Sequence, residues 1–403
     1  MPLRRRRAGQ RVGASGNTRE SLQAIFNRNF NVVALINLLV MTAYYLTFVT
    51  STAYARTAYE ASLSSAGFTA GIMVIGCLVG RFLTGNMISL FGSCPILLCG
   101  LVLYAASIAS FFLVDSLPAL FAQRLIAGIG VGIIGTATGT IVAYVVPQKF
   151  HGLGISLFSM STALALALGP FLGIVISRWY DYVVLNSVCL GAGGGCLLLF
   201  WSLHGLPDGR HRHRPFFCLN SYIDPRVVRF SLVALATCLS YGCVQAFMTS
   251  LATERGLTAA ASVFFLLYGI AAIATRPLTG RLFDLRGENI IFYPCLLLTS
   301  LSLFLLAHAQ SSWMLLLSSI LLGIGFGNFQ SAGQAVSLSL VSRSRFAQAT
   351  TTFFIFFDLG IGIGPYLFGF LVPSSGYDGM YQTLAFLVLA AVGMYYLLHG
   401  RHA

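Results

Sequence analysis

The chain has few charged residues. Asp, Glu, Lys and Arg make up 9% of its 403 residues, whereas an ordinary soluble domain carries about 25%. Only 11 residues are acidic, while hydrophobic residues reach 57%. This composition excludes an ordinary water-soluble fold and indicates a protein that spans a lipid bilayer.

The patterns of common metal and catalytic sites are also missing. The nine cysteines form no Cys-x-x-Cys pair and fall mostly within apolar runs, so we expect neither a disulfide framework nor a zinc site. No segment pairs a nucleophile with a base, and no glycine-rich phosphate loop follows a strand. We therefore expect no enzyme activity, no cofactor and no bound metal. The first apolar run is too long for a cleavable signal peptide.

Apolar runs near 20 residues recur along the chain, and this length crosses a hydrocarbon core of roughly 30 Å. They predict an all-α membrane protein with 12 transmembrane helices. The runs cover about residues 30–53, 67–88, 95–114, 118–146, 152–176, 182–203, 227–252, 260–283, 289–308, 312–341, 347–372 and 379–398.

The basic residues are unevenly distributed along these runs. The net charge of +13 is compatible with a nucleic-acid partner, but its placement argues otherwise. With the N-terminus in the cytoplasm, 20 of the 24 basic residues fall in cytoplasmic segments or at the cytoplasmic ends of runs. The exceptions are Arg56, Arg178 and Arg255 outside, and Arg124 within a run. This positive-inside bias predicts a multi-pass protein of the cytoplasmic membrane, surrounded by lipid, with both termini in the cytoplasm and no nucleic-acid partner.

The second half of the chain repeats the first at an offset of 195 residues. RFLTGNMISLFG at 81–92 returns as RPLTGRLFDLRG at 276–287, and the same offset relates two glycine triplets and two Gly-Pro pairs. The repeat predicts two pseudo-symmetric six-helix bundles, at 29–203 and 227–398. They are joined by a cytoplasmic linker at 204–226 and flanked by a basic tail at 1–28 and a short tail at 399–403. A duplicated membrane bundle is typical of a transporter whose halves rock about a central site.

Several of these segments resemble signatures of the major facilitator superfamily. Residues 85–92 and 280–287 are similar to its loop signature between spans two and three. Residues 124–130 are similar to its fourth-helix signature, and 168–173 to the fifth-helix signature of proton-driven antiporters. The opening of the first run resembles bacterial efflux permeases. The resemblance implies the major facilitator fold and a proton-coupled antiporter.

Two groups of residues are candidates for the conformational change. The loop signature is expected to act as a cytoplasmic latch, and turn geometry alone is the alternative. The Gly-Pro pairs are expected to kink spans five and eleven at the seam between the halves, and packing alone is the alternative. These candidates are Arg81, Gly85, Gly92, Arg276, Gly280, Asp284, Gly287, Gly169, Pro170, Gly364 and Pro365.

Two charged residues lie within spans, where an unpaired charge is costly. Arg124 lies about two turns inside the fourth span, and its repeat counterpart is Ser319. Resemblance implies a role in proton coupling, and extension of its side chain to the outer surface is the alternative. Asp358 is the one acidic residue near the middle of a span. Burial disfavours a charged carboxylate, so Asp358 is a candidate proton carrier; an ion pair with Arg81 is the alternative.

Substrate contacts are expected from polar and aromatic residues on spans one, four, seven and ten, which line the cavity in the superfamily. The candidates are Asn37, Tyr44, Tyr45, Gln123, Tyr241, Gln245, Asn328, Gln330 and Gln334.

The favoured hypothesis is a monomeric secondary transporter that exports a small amphiphilic molecule, such as a drug, metabolite or siderophore, in exchange for protons. Two alternatives stay open. One is proton-coupled uptake of a small anionic metabolite, and the other is a membrane sensor or scaffold that does not transport.

Overall fold

A computed structural model describes residues 25–147, 151–205, 223–341 and 345–401 of the chain. Within these ranges the chain forms long helices and no strand. The helices are α1 (Arg28–Tyr59), α2 (Leu63–Phe91), α3 (Ser93–Ser110), α4 (Leu117–Val145), α5 (His151–Trp179), α6 (Tyr182–Phe200), α7 (Pro225–Glu254), α8 (Thr258–Arg286), α9 (Asn289–Ala307), α10 (Ser312–Ser339), α11 (Phe346–Gly369) and α12 (Val372–Tyr395).

All twelve helices are long and apolar enough to cross a membrane, which confirms the predicted fold class. Most boundaries differ from the expected ones by a few residues, and two of these differences have a visible local cause. α7 already begins at Pro225, where the buried Asp224 caps the helix by accepting a hydrogen bond from the Arg226 backbone N–H at 3.0 Å. α12 begins at Val372, because a first helical turn is joined to the main helix across a break at Gly376, whose φ is 67°.

Alternate helices run in opposite directions, so the described termini lie on the same face of the molecule. We call this face, where α1 begins and α12 ends, the terminal face, and the opposite one the distal face. Helices α1 to α6 form one bundle and α7 to α12 the other. The bundles meet mainly where α2 packs on α11 and where α5 packs on α8.

The sequence repeat is visible in the packing of the glycine triplets. A Cβ atom on Gly128 of α4 would lie 2.0 Å from the Met73 carbonyl oxygen of α2. A Cβ atom on the matching Gly323 of α10 would lie 2.4 Å from the Tyr268 carbonyl oxygen of α8, and Tyr268 is 195 positions after Met73. The two bundles are therefore built on the same close helix–helix contacts.

One hydrogen bond between neighbouring helices also recurs at this offset. Ser107 of α3 donates its hydroxyl to the Gln123 carbonyl oxygen of α4 at 2.8 Å. In the second bundle, Ser302 of α9 donates to the Ser318 carbonyl oxygen of α10 at 2.7 Å. The two bundles are pseudo-symmetric in their polar contacts as well as in their glycines.

The α2–α11 seam is tight from the distal end to its middle. Ser64 donates its hydroxyl to the Tyr366 carbonyl oxygen at 2.9 Å, near the distal end. One helical turn below, a Cβ on Gly67 would lie 2.5 Å from the Pro365 carbonyl oxygen. A Cβ on Gly71 would lie only 1.9 Å from the Gly362 carbonyl oxygen, so neither position can carry a side chain.

The Gly-Pro pairs lie inside α5 and α11, as predicted. Pro365 has no backbone N–H, so the carbonyl of Ile361 loses its usual intrahelical partner. This carbonyl oxygen faces Gly242 of α7, where a Cβ would lie 2.4 Å away. In the first bundle, Gly169 packs against the Thr42 carbonyl oxygen of α1. Both pairs therefore lie at close contacts with the first helix of their own bundle.

Candidate functional site

An ion pair joins the two bundles near the middle of the membrane-spanning region. The Arg81 Nη1 of α2 donates to the Asp358 Oδ2 of α11 at 2.6 Å. The Asp358 side chain is 10% exposed, whereas the Arg81 side chain is 36% exposed. The Asp358 carboxylate is thus almost buried, while the Arg81 guanidinium remains partly solvent-accessible. The Arg81 guanidinium also lies over the Phe354 ring, 5.8 Å from its centroid.

Aromatic side chains surround this pair. Tyr44 and Tyr45 of α1 lie within electrostatic range of both Arg81 and Asp358, and their rings meet edge to face at 5.1 Å. Tyr241 of α7 lies within the same range of Tyr45. The structure therefore brings three substrate-cavity candidates together with the proton-coupling candidate Asp358.

The Tyr241 ring belongs to a stack in the second bundle that the sequence analysis did not include. It stacks on Phe326 of α10 at 4.0 Å and on Tyr268 of α8 at 5.6 Å. Gln245 donates its amide to the Tyr241 hydroxyl at 3.3 Å. Apolar helices carry many aromatic residues, so their sequence gave no signal that singled out Tyr268 and Phe326.

A cavity of about 640 Å³ opens at the distal face between the two bundles. It lies among α1, α5 and α6 of the first bundle and α7 and α8 of the second. Nearer the middle of the molecule, α5 and α8 come into close contact, where a Cβ on Gly269 would lie 2.6 Å from the Ala167 Cβ. The lining residues are Thr50, Ala53, Arg56, Thr57, Ile174, Ser177, Arg178, Tyr182, Thr249, Ser250, Thr253, Glu254, Thr258 and Ala261.

The charges of this cavity were not among the predicted site residues. Arg56 and Arg178 lie on the first-bundle side and Glu254 on the second-bundle side. Arg56 also donates to the Tyr377 hydroxyl of α12 at 3.5 Å, a contact between bundles at the distal rim. The sequence did carry a signal, because Arg56 and Arg178 are two of the few arginines that depart from the positive-inside distribution.

Arg124 lies inside the first bundle and is 1% exposed, so its side chain does not extend to the outer surface. Its Nε and Nη1 have no hydrogen-bond partner within the described part of the chain. The titratable side chains in its surroundings are Cys189, Tyr104, Tyr54 and Tyr182, none of which is a carboxylate. Tyr182 also lines the distal cavity, so Arg124 lies behind the cavity wall.

The remaining cavity candidates lie away from the ion pair and are absent from the lining of the distal cavity. Asn37 bonds Ser161 and Thr162 of α5 at 2.8 and 2.9 Å. Gln123 donates to the Ser107 carbonyl oxygen of α3 at 3.0 Å, inside the first bundle. Further half-buried or buried candidates on α10 are Asn328, which bonds Thr275 and Thr279 of α8, and Gln330 and Gln334.

The loop-signature residues end two equivalent helices. Gly92 ends α2 with φ 85°, and Gly287 ends α8 with φ 83°, a backbone conformation that favours glycine. Arg276 and Gly280 lie in α8, and the Arg276 Nε is buried without a hydrogen-bond partner among the described residues. Gly85 lies within α2 and Asp284 within α8, but the surroundings of both residues are outside the described part of the structure.

No group of three or more His, Cys, Asp or Glu side chains is arranged to hold a metal ion in the residues that the structure describes.

Comparison with known proteins identifies the family. The family model described as Major Facilitator Superfamily matches residues 33–293 and 230–403. The Uncharacterized MFS-type transporter YhhS of Escherichia coli (strain K12) is 26% identical over 314 residues, which cover 78% of this chain and 76% of that protein.

Solved transporters share the fold. A POT family transporter in complex with 5-aminolevulinic acid aligns with a TM-score of 0.80 and 13% identity, over 94% of this chain and 99% of that one. A mutant of the nucleoside transporter NupG aligns with a TM-score of 0.79 and 13% identity, over 91% of this chain and 100% of that one. The chain belongs to the Major Facilitator Superfamily and is a membrane-embedded secondary transporter of small molecules.

Proposed function

We propose that this member of the Major Facilitator Superfamily exports a small amphiphilic molecule from the cytoplasm in exchange for protons, and that Asp358 is the proton carrier. The observation that carries the proposal is the Arg81–Asp358 ion pair between the two bundles. A carboxylate that is almost covered by protein, and whose only ion-pair partner among the described residues belongs to the other bundle, links protonation to the contact between bundles.

Protonation would change the energy of this contact directly. The charged pair attracts strongly at a separation of 2.6 Å, because the surrounding protein screens it less than water does. When the carboxylate takes up a proton, the Coulombic attraction is lost and Arg81 keeps an uncompensated charge. Breaking a fully buried pair costs about 3–5 kcal/mol, but the Arg81 side chain is 36% exposed, so solvent screening makes the loss smaller here. We propose that the remaining difference biases the equilibrium between two arrangements of the bundles.

The cycle that follows is a rocker-switch with alternating access. The distal cavity between α5 and α8 is one access route, and opening towards the terminal face is the other. Tyr44, Tyr45 and Tyr241 would contact the substrate next to the ion pair, because tyrosine offers an apolar ring with a polar hydroxyl. The other cavity candidates would also contact the substrate, and the loop-signature and Gly-Pro residues would take part in the conformational change.

The orientation and organisation are also proposed. The terminal face would lie in the cytoplasm of a bacterial cytoplasmic membrane, which places the positive-inside residues correctly. The bundles would comprise 29–203 and 227–398, joined by the linker at 204–226, and the functional unit would be a monomer. We propose no catalytic activity for this protein.

The test uses purified protein in proteoliposomes with a pH-sensitive dye inside. A panel of ethidium, fluorescein and a zwitterionic dye is screened for dye-dependent proton flux by the wild type. We expect Asp358→Asn to lose proton flux and net transport with the responsive dye. The same variant should retain exchange of labelled for unlabelled dye, because exchange moves no net proton.

The matched control is Asp378→Asn, since the Asp378 side chain is 61% exposed and pairs with Arg255 away from the bundle seam. This control should behave as the wild type. Normal proton flux in Asp358→Asn would remove the carboxylate from coupling. A double variant that exchanges the two charges, Arg81→Asp with Asp358→Arg, separates the roles further: full recovery of coupling would show that the pair is structural.

A second candidate function is proton-coupled uptake of a small anionic metabolite, which the buried Arg124 favours because its Nε and Nη1 have no hydrogen-bond partner among the described residues. Transport in vesicles of known orientation distinguishes the two directions. Accumulation of substrate on the cytoplasmic side, driven by an inward proton gradient, would replace export by uptake. Absence of substrate-dependent proton flux for the wild type across a broad panel would instead favour a sensor that does not transport.

A further inference from the structure

Arg124 is a buried cation whose charge nothing in the described structure balances. The side chain is 1% exposed, and two of its three nitrogens lack a hydrogen-bond partner. No described carboxylate lies within ion-pair distance of it. An unpaired arginine in a membrane interior is costly, and a buried group without a partner requires an explanation such as an ion.

Two other arginines within the helices, Arg81 and Arg255, have acceptors, whereas the Arg276 Nε is also buried without a hydrogen-bond partner among the described residues. Arg81 pairs with Asp358. Arg255 donates to the carbonyl oxygens of Ala307 and Ala309, both at 2.7 Å, and pairs with Asp378. Even the repeat counterpart of Arg124, Ser319, donates its hydroxyl to a carbonyl oxygen of α8. Arg124 therefore differs from Arg81 and Arg255, because two of its nitrogens are buried with neither a carboxylate nor a carbonyl acceptor among the described residues.

A second donor without a partner lies close to Arg124. Tyr104 of α3 is fully buried, its hydroxyl has no hydrogen-bond partner, and it lies within electrostatic range of Arg124. The Tyr104 backbone packs closely against Gly130 of α4, and its ring lies next to Gly193 of α6. A guanidinium and a phenol hydroxyl are both able to donate to one bound acceptor.

We infer that Arg124 and Tyr104 form a buried anion-binding site inside the first bundle, for one monovalent group that is either a chloride ion or a carboxylate. Because the ligand is singly charged, it neutralises the guanidinium without leaving a new net charge in the membrane. The site is distinct from the Arg81–Asp358 pair and does not depend on the proposed direction of transport.

The distal cavity offers a route to this site. Tyr182 lines the cavity and lies within electrostatic range of Arg124. The rings of Tyr54 and Tyr182 have their centroids 4.6 Å apart, and both lie between the distal cavity and Arg124. Arg56 and Arg178 at the cavity would raise the local concentration of anions.

The test is thermal unfolding of the purified full-length protein in nanodiscs at constant ionic strength. Chloride or acetate replaces gluconate, a bulky carboxylate, in separate titrations. We expect a saturable rise of the midpoint temperature for the wild type, because a ligand that binds only the folded state stabilises it. Arg124→Gln and Tyr104→Phe should abolish or strongly reduce this rise. Arg286→Gln, which removes an exposed arginine at the terminal face, should keep it.

The two ligand titrations separate the possible sources of the anion. A rise with chloride alone indicates a resident ion, whereas a rise with acetate indicates that the carboxylate of a substrate fits as well. If neither anion stabilises the wild type, or if Tyr104→Phe and Arg124→Gln keep the full rise, the inference is overturned. Tyr104→Phe removes one hydroxyl only, so it remains informative if Arg124→Gln does not fold.

Discussion

Gly71 of α2 gives the sharpest test of how the two bundles are held together. A Cβ atom at this position would lie 1.9 Å from the Gly362 carbonyl oxygen, whereas ordinary contact begins at 3.4 Å. The obstacle is backbone, so it cannot be relieved by a side-chain rotation. In Gly71→Ala, α2 must therefore move away from α11 by about 1.5 Å, the difference between the two distances.

Moving α2 away from α11 lowers the free energy of unfolding in two ways. Overpacking of a well-packed contact costs about 1–3 kcal/mol. The Ser64 hydroxyl lies 2.9 Å from the Tyr366 carbonyl oxygen one to two turns away, and a shift of this size would break the bond. Loss of that hydrogen bond adds about 1 kcal/mol. Helix propensity offsets about 1 kcal/mol of this cost, because alanine is favoured over glycine within a helix. We expect Gly71→Ala to lower the free energy of unfolding by about 1–3 kcal/mol and to weaken coupling through the Arg81–Asp358 pair.

The measurement combines reversible unfolding in mixed micelles with dye-driven proton flux in proteoliposomes. The matched control is Gly139→Ala in α4, because a Cβ atom there meets nothing within 4 Å. Helix propensity favours alanine over glycine by about 1 kcal/mol, so the control should be unchanged or slightly stabilised. If Gly71→Ala unfolds and transports like Gly139→Ala, the close contact of α2 with α11 does not hold the bundles together.

Other expectations concern contacts within and at the rim of the bundles. Ser107→Ala and Ser302→Ala should each lower the free energy of unfolding by about 1 kcal/mol, because each removes the equivalent buried hydrogen bond; clearly unequal effects in an unfolding titration would argue against equivalent packing. Arg255→Gln should make the distal ends of α9 and α12 more sensitive to proteolysis, because Arg255 bonds carbonyl oxygens at the end of α9 and pairs with Asp378 of α12. Proteolysis at the wild-type rate would show that these bonds are dispensable.

The twelve helices and the internal duplication could be predicted from the sequence alone. Each span is fixed by the length of an apolar run, because a bilayer leaves the backbone no alternative to internal hydrogen bonds. The repeat was readable since glycines at helix contacts tolerate no substitute. Gly128 and Gly323 lie against the carbonyl oxygens of Met73 and Tyr268, so both copies retained them for the same steric reason.

The position of the distal cavity could not be predicted from the sequence. Helices that are apolar all round carry little periodicity, so the face that each presents to the other bundle depends on tertiary packing. Asn37 and Gln123 illustrate the difficulty: both are polar residues on cavity-forming helices, yet their amides are used in contacts within the first bundle. The charges of the distal cavity were visible only as exceptions to the positive-inside distribution.

The two seams between the bundles differ in a way that explains why an ion pair at Arg81 and Asp358 would be an effective switch. The α2–α11 seam is closed from Ser64 to Asp358, whereas α5 and α8 touch at Ala167 and Gly269 and separate towards the distal cavity. In the rocker-switch that we propose, the bundles would rotate about the closed seam as they separate along the other. A small change in the spacing of α2 and α11 would then be accompanied by a larger change at the α5–α8 seam. On the proposed cycle, a single protonation at Asp358 therefore needs to move its own helix only slightly to change access to the cavity.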